Sequence, residues 1–321
     1  MTAVVPVQGA ILDSVLDATH PISRDGLDRH AYGRLDAARM KTSWGRRCQR
    51  RFALVEGADL LASAERYDMA GRFEGRAVRI CGIGSVFTNP SHRGLGHARA
   101  LLETLLDQAA GQGAEVALLF SQTGLEEDAR NGFEAIPLTE VTLDVASSRH
   151  GAPMTMVRGG EERDLAAIVA MGRVRADPFR FHLDRDIDLV QYAITRKRLL
   201  AGLGSADARQ LHFFIAEEGI TAAAYVVVSV AGSTWTLEEC GDRDASGARV
   251  GALLQALIAR EPSERRPTIR AWLPPRFLPP QLTLVSAAPS TEIMMVRMLS
   301  AAPALPRLSA DDVLYWRSDV F

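Results

Sequence analysis

Cysteine is scarce in this chain of 321 residues: Cys48, Cys81 and Cys240 are the only three. They are too few and too scattered for a disulfide framework or a Cys-x-x-Cys zinc site, so a reducing compartment is expected. Net charge is almost absent as well, because 37 Lys and Arg face 39 Asp and Glu, a balance of −2. Without a basic excess the chain is not expected to bind nucleic acid or a membrane surface, and a small, locally read ligand fits better. Long apolar runs are missing too. No segment reaches membrane-spanning length, and the N-terminus MTAVVPVQGAILDSVLDATH has no basic stretch ahead of its apolar residues, which points to a cytoplasmic protein. His97 is read without the set of His and Cys partners that a metal site needs, so no metal is expected.

What is present is apolar sequence. Hydrophobic residues make up 47% of the chain, enough for two buried cores, and the length suits two domains. The most informative stretch runs from Gly84 to Ala98. Residues 80–88 are apolar and β-branched enough for a buried strand, Pro90 stops it, and Gly94 and Gly96 permit a tight turn with inward-pointing amides. Beyond the turn, Ala98, Leu101, Leu102, Leu105, Leu106 and Ala109 recur at helical spacing until Gly111 to Gly113. A strand, a glycine turn and a helix start in that order form an anion site from unpaired amides and the helix dipole, suited to a pyrophosphate. The turn reads Arg93-Gly94-Leu95-Gly96-His97-Ala98, with neither the three glycines of a dinucleotide fold nor the Lys-Ser or Lys-Thr pair of a P-loop.

The pattern Arg-x-x-Gly-x-Ala after a strand resembles the coenzyme A loop of the GCN5-related N-acetyltransferase (GNAT) superfamily. Leu60 to Tyr67 looks like that family's third strand, Leu118 to Ser121 like its fifth, and Gly132-Phe133 like the Gly-aromatic pair that opens the sixth. The resemblance spans roughly residues 30–145, and Ser85 to Thr88 followed by the Arg93–Ala98 turn is particularly similar to the fungal lysine N-acetyltransferase family. It implies acetyl-CoA as co-substrate and direct transfer to an amine. The pantetheine arm would lie along main-chain groups of Val86, Phe87 and Thr88, and the pyrophosphate on the amides of Arg93, Gly94, Leu95, Gly96, His97 and Ala98, with Arg93 and Arg99 adding charge.

The resemblance also implies a general acid, a Tyr four residues before the Gly of the Gly-aromatic pair; here that position is Asp128, which could donate a proton only with a raised pKa. No carboxylate lies in residues 79–88, so a base has to come from elsewhere. Glu65 on the third strand is one candidate. The other is the terminal carboxylate of Phe321, because the two-fold arrangement of the chain is also similar to the enhanced intracellular survival acetyltransferases, which use theirs in this way, and because Val313 to Trp316 looks like a final strand leading to it.

Polarity rises at Ser147 to Pro153, which sets the expected domains at 1–150 and 151–321. The second half repeats the element order of the first: helices near 161–174 and 187–201, strands over 211–218, 220–230 and 233–240, a helix over 247–260 and a strand over 268–273. The expected fold class is therefore α/β (α+β), two tandem GNAT-like folds with mixed sheets flanked by helices. Where the first copy has its glycine turn, the second has Gly241-Asp242-Arg243-Asp244-Ala245-Ser246-Gly247-Ala248, whose carboxylates would repel a pyrophosphate. The second copy thus reads as a degenerate scaffold and substrate wall, with the Pro-rich Leu273 to Pro280 as a loop beside it.

Bland roles are expected for the remaining features. Arg46, Arg47, Arg50 and Arg51 read as a solvated helix end, Cys81 as strand core, His97 as pointing out of its helix, and Met294, Met295 and Met298 as core. The expected activity is N-acetylation of a small amine, with a lysine-like amino acid favoured by the resemblance, in a monomer or homodimer. The rival is a non-catalytic acetyl-CoA-binding sensor, which Asp128 in place of Tyr supports and which would release no free thiol.

Overall fold

The structure, a computed structural model, describes residues 1–121, 125–146, 156–205, 208–262, 264, 266–299 and 308–321. The expected boundary at 147–153 lies outside them. In chain order the elements are β1 (Thr2–Pro6), α1 (Ala10–Ser23), α2 (Arg29–Lys41), α3 (Ser43–Cys48), β2 (Gln49–Glu56), β3 (Asp59–Phe73), β4 (Arg76–Thr88), α4 (His97–Gly111), β5 (Val116–Ser121), α5 (Leu125–Arg130) and β6 (Glu134–Ile136). They continue as β7 (Thr139–Val145), β8 (Met156–Gly159), α6 (Leu165–Ala176), β9 (Phe181–Leu183), α7 (Ile187–Leu203), β10 (Arg209–Glu218), β11 (Thr221–Ala231), β12 (Thr234–Asp242), α8 (Ala248–Ile258), β13 (Ile269–Ala271), β14 (Leu282–Pro289), β15 (Ile293–Met298) and β16 (Val313–Leu314).

Two compact units result, and neither is a continuous segment. The first comprises Met1–Pro137, Thr291–Leu308 and Phe321; the second comprises Leu138–Ser290 and Ser309–Val320. The first unit's strands run β1-β2-β3-β4-β5-β15-β6, the second's β14-β7-β13-β12-β11-β10-β8. In each, one parallel pair, β4 with β5 or β12 with β13, sits among antiparallel neighbours. The strand beside each parallel pair comes from the other half of the sequence. β15 pairs antiparallel with both β5 and β6, while β7 pairs with both β13 and β14. A cut at 150 would strip β7 from one sheet and leave β15 out of the other, which local polarity cannot reveal because the partners are distant in sequence.

The first unit's core is the sheet covered by one face of α4. Leu101, Leu102, Leu105, Leu106 and Ala109, the stripe expected from spacing, pack on Leu61, Ala62, Cys81 and Ile83. Each buried leucine there contributes about 1.5–3 kcal/mol of transfer free energy. Cys81 is fully buried, and burial pushes its thiol up to about 12, so it is strand core and inert. Met294 and Met295 are core too, on β15, while Met298 is half-buried at its end. In the second unit α8 covers β10, β11, β12 and β7 through Val250, Leu253, Leu254 and Leu257, while α6 packs on β11 and α7 on β10 through Ile168, Val190 and Ile194.

The tail departs from the strand expected over 313–316. β16 has two residues, and a 3-10 turn follows at Arg317–Asp319. Buried polar groups hold that turn in the second unit: Arg185 pairs with Glu239 and, at 3.0 Å, with Asp319; Ser318 Oγ donates to Glu239; and Arg196 donates to the carbonyls of Ser318 and Val320. Burial, helped by the neighbouring Glu239 and opposed by Arg185, raises the Asp319 carboxyl to about 6.

Candidate active site

The site begins where β4 and β5 part. They pair in parallel from Ile80↔Val116 to Ile83↔Leu119 and no further, although β4 continues to Thr88 and β5 to Ser121. Across β4, the register with β3 steps from Ser63↔Phe87 to Glu65↔Gly84, so β4 carries one extra residue there. The bulge is centred on Ser85, a non-glycine residue at φ 50°, and Ser85 and Val86 are consecutive exposed positions directly after the buried run Ile80 to Gly84. Val86, Phe87 and Thr88 therefore lie on an edge with no strand paired to it on the β5 side. Phe87 turns its ring into the core, 7% exposed, while Val86 is 44% exposed.

After β4 the chain turns through Pro90–His92 and the glycine loop into α4. Gly94 and Gly96 both adopt left-handed backbone, φ 77° and 80°, and Gly96 caps the helix. The first helical bond is Ala100 N–H to Gly96 O, so the amides of His97, Ala98 and Arg99 have no partner inside the helix. Added Cβ atoms at Gly94 and Gly96 would meet nothing within 4 Å, which leaves the concave face of the turn open. Arg93, Leu95 and Arg99 are exposed, Ala98 is half-buried, and half-buried His97 sets its ring 6.0 Å from that of His92. Backbone donors, a helix N-terminus and an uncovered turn fit the pyrophosphate of a coenzyme A ester.

Phe321 belongs to this same unit. Its ring lies 4.5 Å from that of Tyr67 and 5.8 Å from that of Phe120, centroid to centroid, over β4. A Cβ at Gly82 would come within 2.7 Å of Phe321 Cζ and Met69 Cε, and one at Gly84 within 3.0 Å of Phe321 Cδ2 and 3.3 Å of its carboxyl carbon. Two glycines on one face of a strand thus hollow out the slot that receives the terminal residue. Their spacing was the one sequence signal for it.

Glu65 is not at a solvated strand edge; it is 1% exposed. Its Oε1 is paired with Arg51 and, at 3.2 Å, with Arg39, and its Oε2 accepts from Gln49 Nε2 at 3.1 Å and from Tyr67 Oη. Burial alone would raise its carboxyl, but Arg51, Arg39 and the Tyr67 hydroxyl overcome that and hold it well below the usual carboxylate range. Asp36 accepts from both arginines, closing a cluster of two carboxylates and two guanidinium groups. Arg51 is accordingly not part of a solvated helix end, because the pleat of β2 turns it onto Glu65 opposite, whereas Arg50 turns outward and donates to the Arg46 and Gln49 carbonyls. The cluster fixes Tyr67, and Tyr67, backed by Trp44 at 6.2 Å, forms one wall of the Phe321 slot.

Asp128 stands on α5, half-buried. Burial pushes its carboxyl above the ordinary value, the neighbouring Ser121 hydroxyl pulls it back, and Glu127 adds to the rise. Ser121 ends β5 one residue after Phe120, so α5 follows directly from the strand that contacts Phe321. Among the described residues no group of His, Cys, Asp or Glu is placed to hold a metal ion, and no helix is long and apolar enough to cross a membrane.

In the second unit the loop corresponding to 89–96 is closed by its own residues. Asp242, buried at the end of β12, accepts from the amides of Asp244 and Arg249 at 2.9 Å and pairs with the Arg249 guanidinium at 3.1 Å. Gly247 caps α8 at φ 71° as Gly96 caps α4, but a Cβ on it would strike Phe277 at 2.6 Å and meet Pro279 at 3.2 Å.

Residues 26–126 match the family model described as "Acetyltransferase (GNAT) domain". Across almost the whole chain the fold is that of tandem GNAT-like proteins. A GCN5-related N-acetyltransferase from Kribbella flavida is 18% identical, with a TM-score of 0.66 over 93% of this chain and 72% of that one. One from Anabaena variabilis is 13% identical, with a TM-score of 0.67 over 94% and 73%, and Eis1 from Mycobacterium abscessus is 16% identical, with 0.59 over 93% and 74%. These identities establish likeness of fold. No curated protein matches the sequence significantly, and none of these comparisons shows the likeness to fungal lysine acetyltransferases.

Proposed function

We propose that this chain is an acetyl-CoA-dependent N-acetyltransferase that transfers the acetyl group directly to a small-molecule amine. The observation that carries the reading is the conjunction, on β4, of an unpaired, bulged edge at Gly84–Thr88 with the carboxyl carbon of Phe321 beside Gly84. The amides of the loop from Arg93 to Arg99 hold the pyrophosphate, and main-chain groups of Val86 and Thr88 hold the pantetheine arm and aim a donor at the charge that develops on the thioester oxygen. Acetyl-CoA supplies the activated acyl carbon.

The Phe321 carboxylate, ionised at neutral pH, orients the amine's ammonium and accepts its proton, directly or through water. The amine nitrogen then forms its bond to the acyl carbon as the carbon–sulfur bond breaks, its second proton passing to water, and Asp128, whose carboxyl burial pushes above the ordinary value, is the group that gives a proton to the departing sulfur. Glu65 takes no part in proton transfer, since both of its oxygens are engaged and its carboxyl is a weak base. Its role is to fix Tyr67 against Phe321. Free lysine is the first amine to test, on the strength of the resemblance of residues 85–98 to the fungal family.

Thiol release from acetyl-CoA is the test, measured with free amino acids, polyamines and aminoglycosides. Amine-dependent release of coenzyme A supports the reading. Tight acetyl-CoA binding with no release across the panel would favour a sensor.

A further inference from the structure

The second unit contains a cavity of about 530 Å³ that the proposed chemistry does not use. It lies next to the closed loop of that unit, between the C-terminal part of α6, the turn after β12 and the Pro-rich loop after β13. Three arginines line it: Arg175 from α6, Arg243 from the β12–α8 loop and Arg276 from the Pro-rich loop. Among the described residues, none of the three forms an ion pair. Two carboxylates also line it, but Asp242 is already matched by Arg249 and by backbone amides, which leaves Asp311 alone against three positive charges. The volume falls within the range of about 300–1,000 Å³ typical of small-ligand sites.

Two details separate this cavity from an ordinary surface depression. The Arg175 guanidinium lies 4.1 Å from the centre of the Phe277 ring, so its position is held by a cation–π stack. Arg276 has φ 61°, a left-handed conformation that costs a non-glycine residue about 1–2 kcal/mol. Strain of that kind persists where the fold over-determines it, often at a ligand clamp. Beside the arginines, Met171, Val174 and Phe179 supply apolar wall.

We propose that this cavity binds a small organic anion, a carboxylate or phosphate group carried on an apolar body, with Arg175, Arg243 and Arg276 gripping the headgroup and the α6 side chains and Phe179 covering the body. Such a site belongs to the second unit alone and makes that copy a ligand-binding module in its own right.

Calorimetric titration of the full chain tests this with phenyl phosphate and benzoate as probes, inorganic phosphate as headgroup alone and benzyl alcohol as body alone. Titrations are made in a Gly96→Asp background, so that the first unit's loop cannot take up the phosphate. The expected result is saturable 1:1 binding of phenyl phosphate, benzoate or both, at least about tenfold tighter than either partial probe and weakened by added salt. An Arg243→Gln, Arg276→Gln double variant, both exposed positions that leave the core intact, should lose about tenfold or more in affinity. Ala245→Glu, which places a carboxylate in the lining, should do the same. Absence of saturable binding by either organic anion, undiminished binding in both variants, or inorganic phosphate binding as tightly as phenyl phosphate would overturn the proposal.

Discussion

The two strand-to-helix junctions of this chain, β4 to α4 and β12 to α8, are built on one plan and reach opposite ends. Each ends in a left-handed glycine cap, Gly96 or Gly247, and each presents helix-start amides to whatever lies before them. In the first, nothing within 4 Å would meet a side chain at the cap, and the loop offers its amides to solvent. In the second, the Asp242 carboxylate takes up the amides of Asp244 and Arg249, and Phe277 and Pro279 cover the cap. A degenerate copy therefore does more than repel a phosphate. It supplies its own anion, and the helix dipole that would draw a ligand instead stabilises the fold.

The comparison breaks most completely at the cap itself. Gly96→Asp forces an L-residue into left-handed backbone and puts a negative charge before the amides. Acetyl-CoA binding should be lost in a protein whose circular dichroism is unchanged, while Ser246→Asp in the second junction should bind acetyl-CoA like the wild type. Calorimetry reads both, and a stoichiometry of two in the wild type would refute a single cofactor loop.

Next in size is the terminal residue. A chain lacking only Phe321 keeps Ser318 and Asp319 in their buried cluster, so the second unit should melt normally, yet turnover should fall by about 10²–10⁴-fold. Affinity for acetyl-CoA should change little, because the glycine loop is untouched. A short Gly-Ser extension after Phe321 should have the same effect by moving the carboxylate. Unchanged turnover in both proteins would remove Phe321 from the mechanism.

Both sheets bury a carboxylate against arginine, and Glu65 sharpens the contrast because its cluster supports the slot. Glu65→Gln leaves Asp36 as the one carboxylate against Arg39 and Arg51 and should cost about 3–5 kcal/mol in denaturant unfolding. Its sign in pH follows from a folded value depressed below the unfolded one, about 4.3. The stabilisation is fully present above that value and lost as the pH falls, so the variant should lose less stability than the wild type between pH 6 and acid.

The smallest effect is expected at the second junction. Asp242→Ala removes a helix cap and should cost about 1–2 kcal/mol in thermal unfolding. It should not create a second acetyl-CoA site, since Phe277 and Pro279 still cover Gly247. Two equivalents bound in this variant would show that Asp242 alone keeps the junction closed.

The local grammar of the chain was legible without the structure. Strand, stop, glycine turn and helix over residues 80–111 follow from β-branched residues, Pro90, two glycines and a leucine stripe, because each acts within a few residues of itself. The repeat of that order in the second half was legible for the same reason, and so was the buried Cys81. What only tertiary structure decided depends on residues distant in sequence. β15 and β7 join sheets whose other strands lie far away along the chain, since strands pair by register and not by proximity in sequence. Glu65 read as a candidate base until Arg39 and Arg51 met it across two elements, and charge neutralisation in a dry site is invisible to a linear pattern. Asp242 looked like a repellent until its carboxylate turned onto the amides that follow it. Phe321 was legible as a candidate, but the slot that holds it is assembled from Tyr67, Gly82, Gly84 and Phe120, which only the pleat and pairing of β3, β4 and β5 bring onto one face.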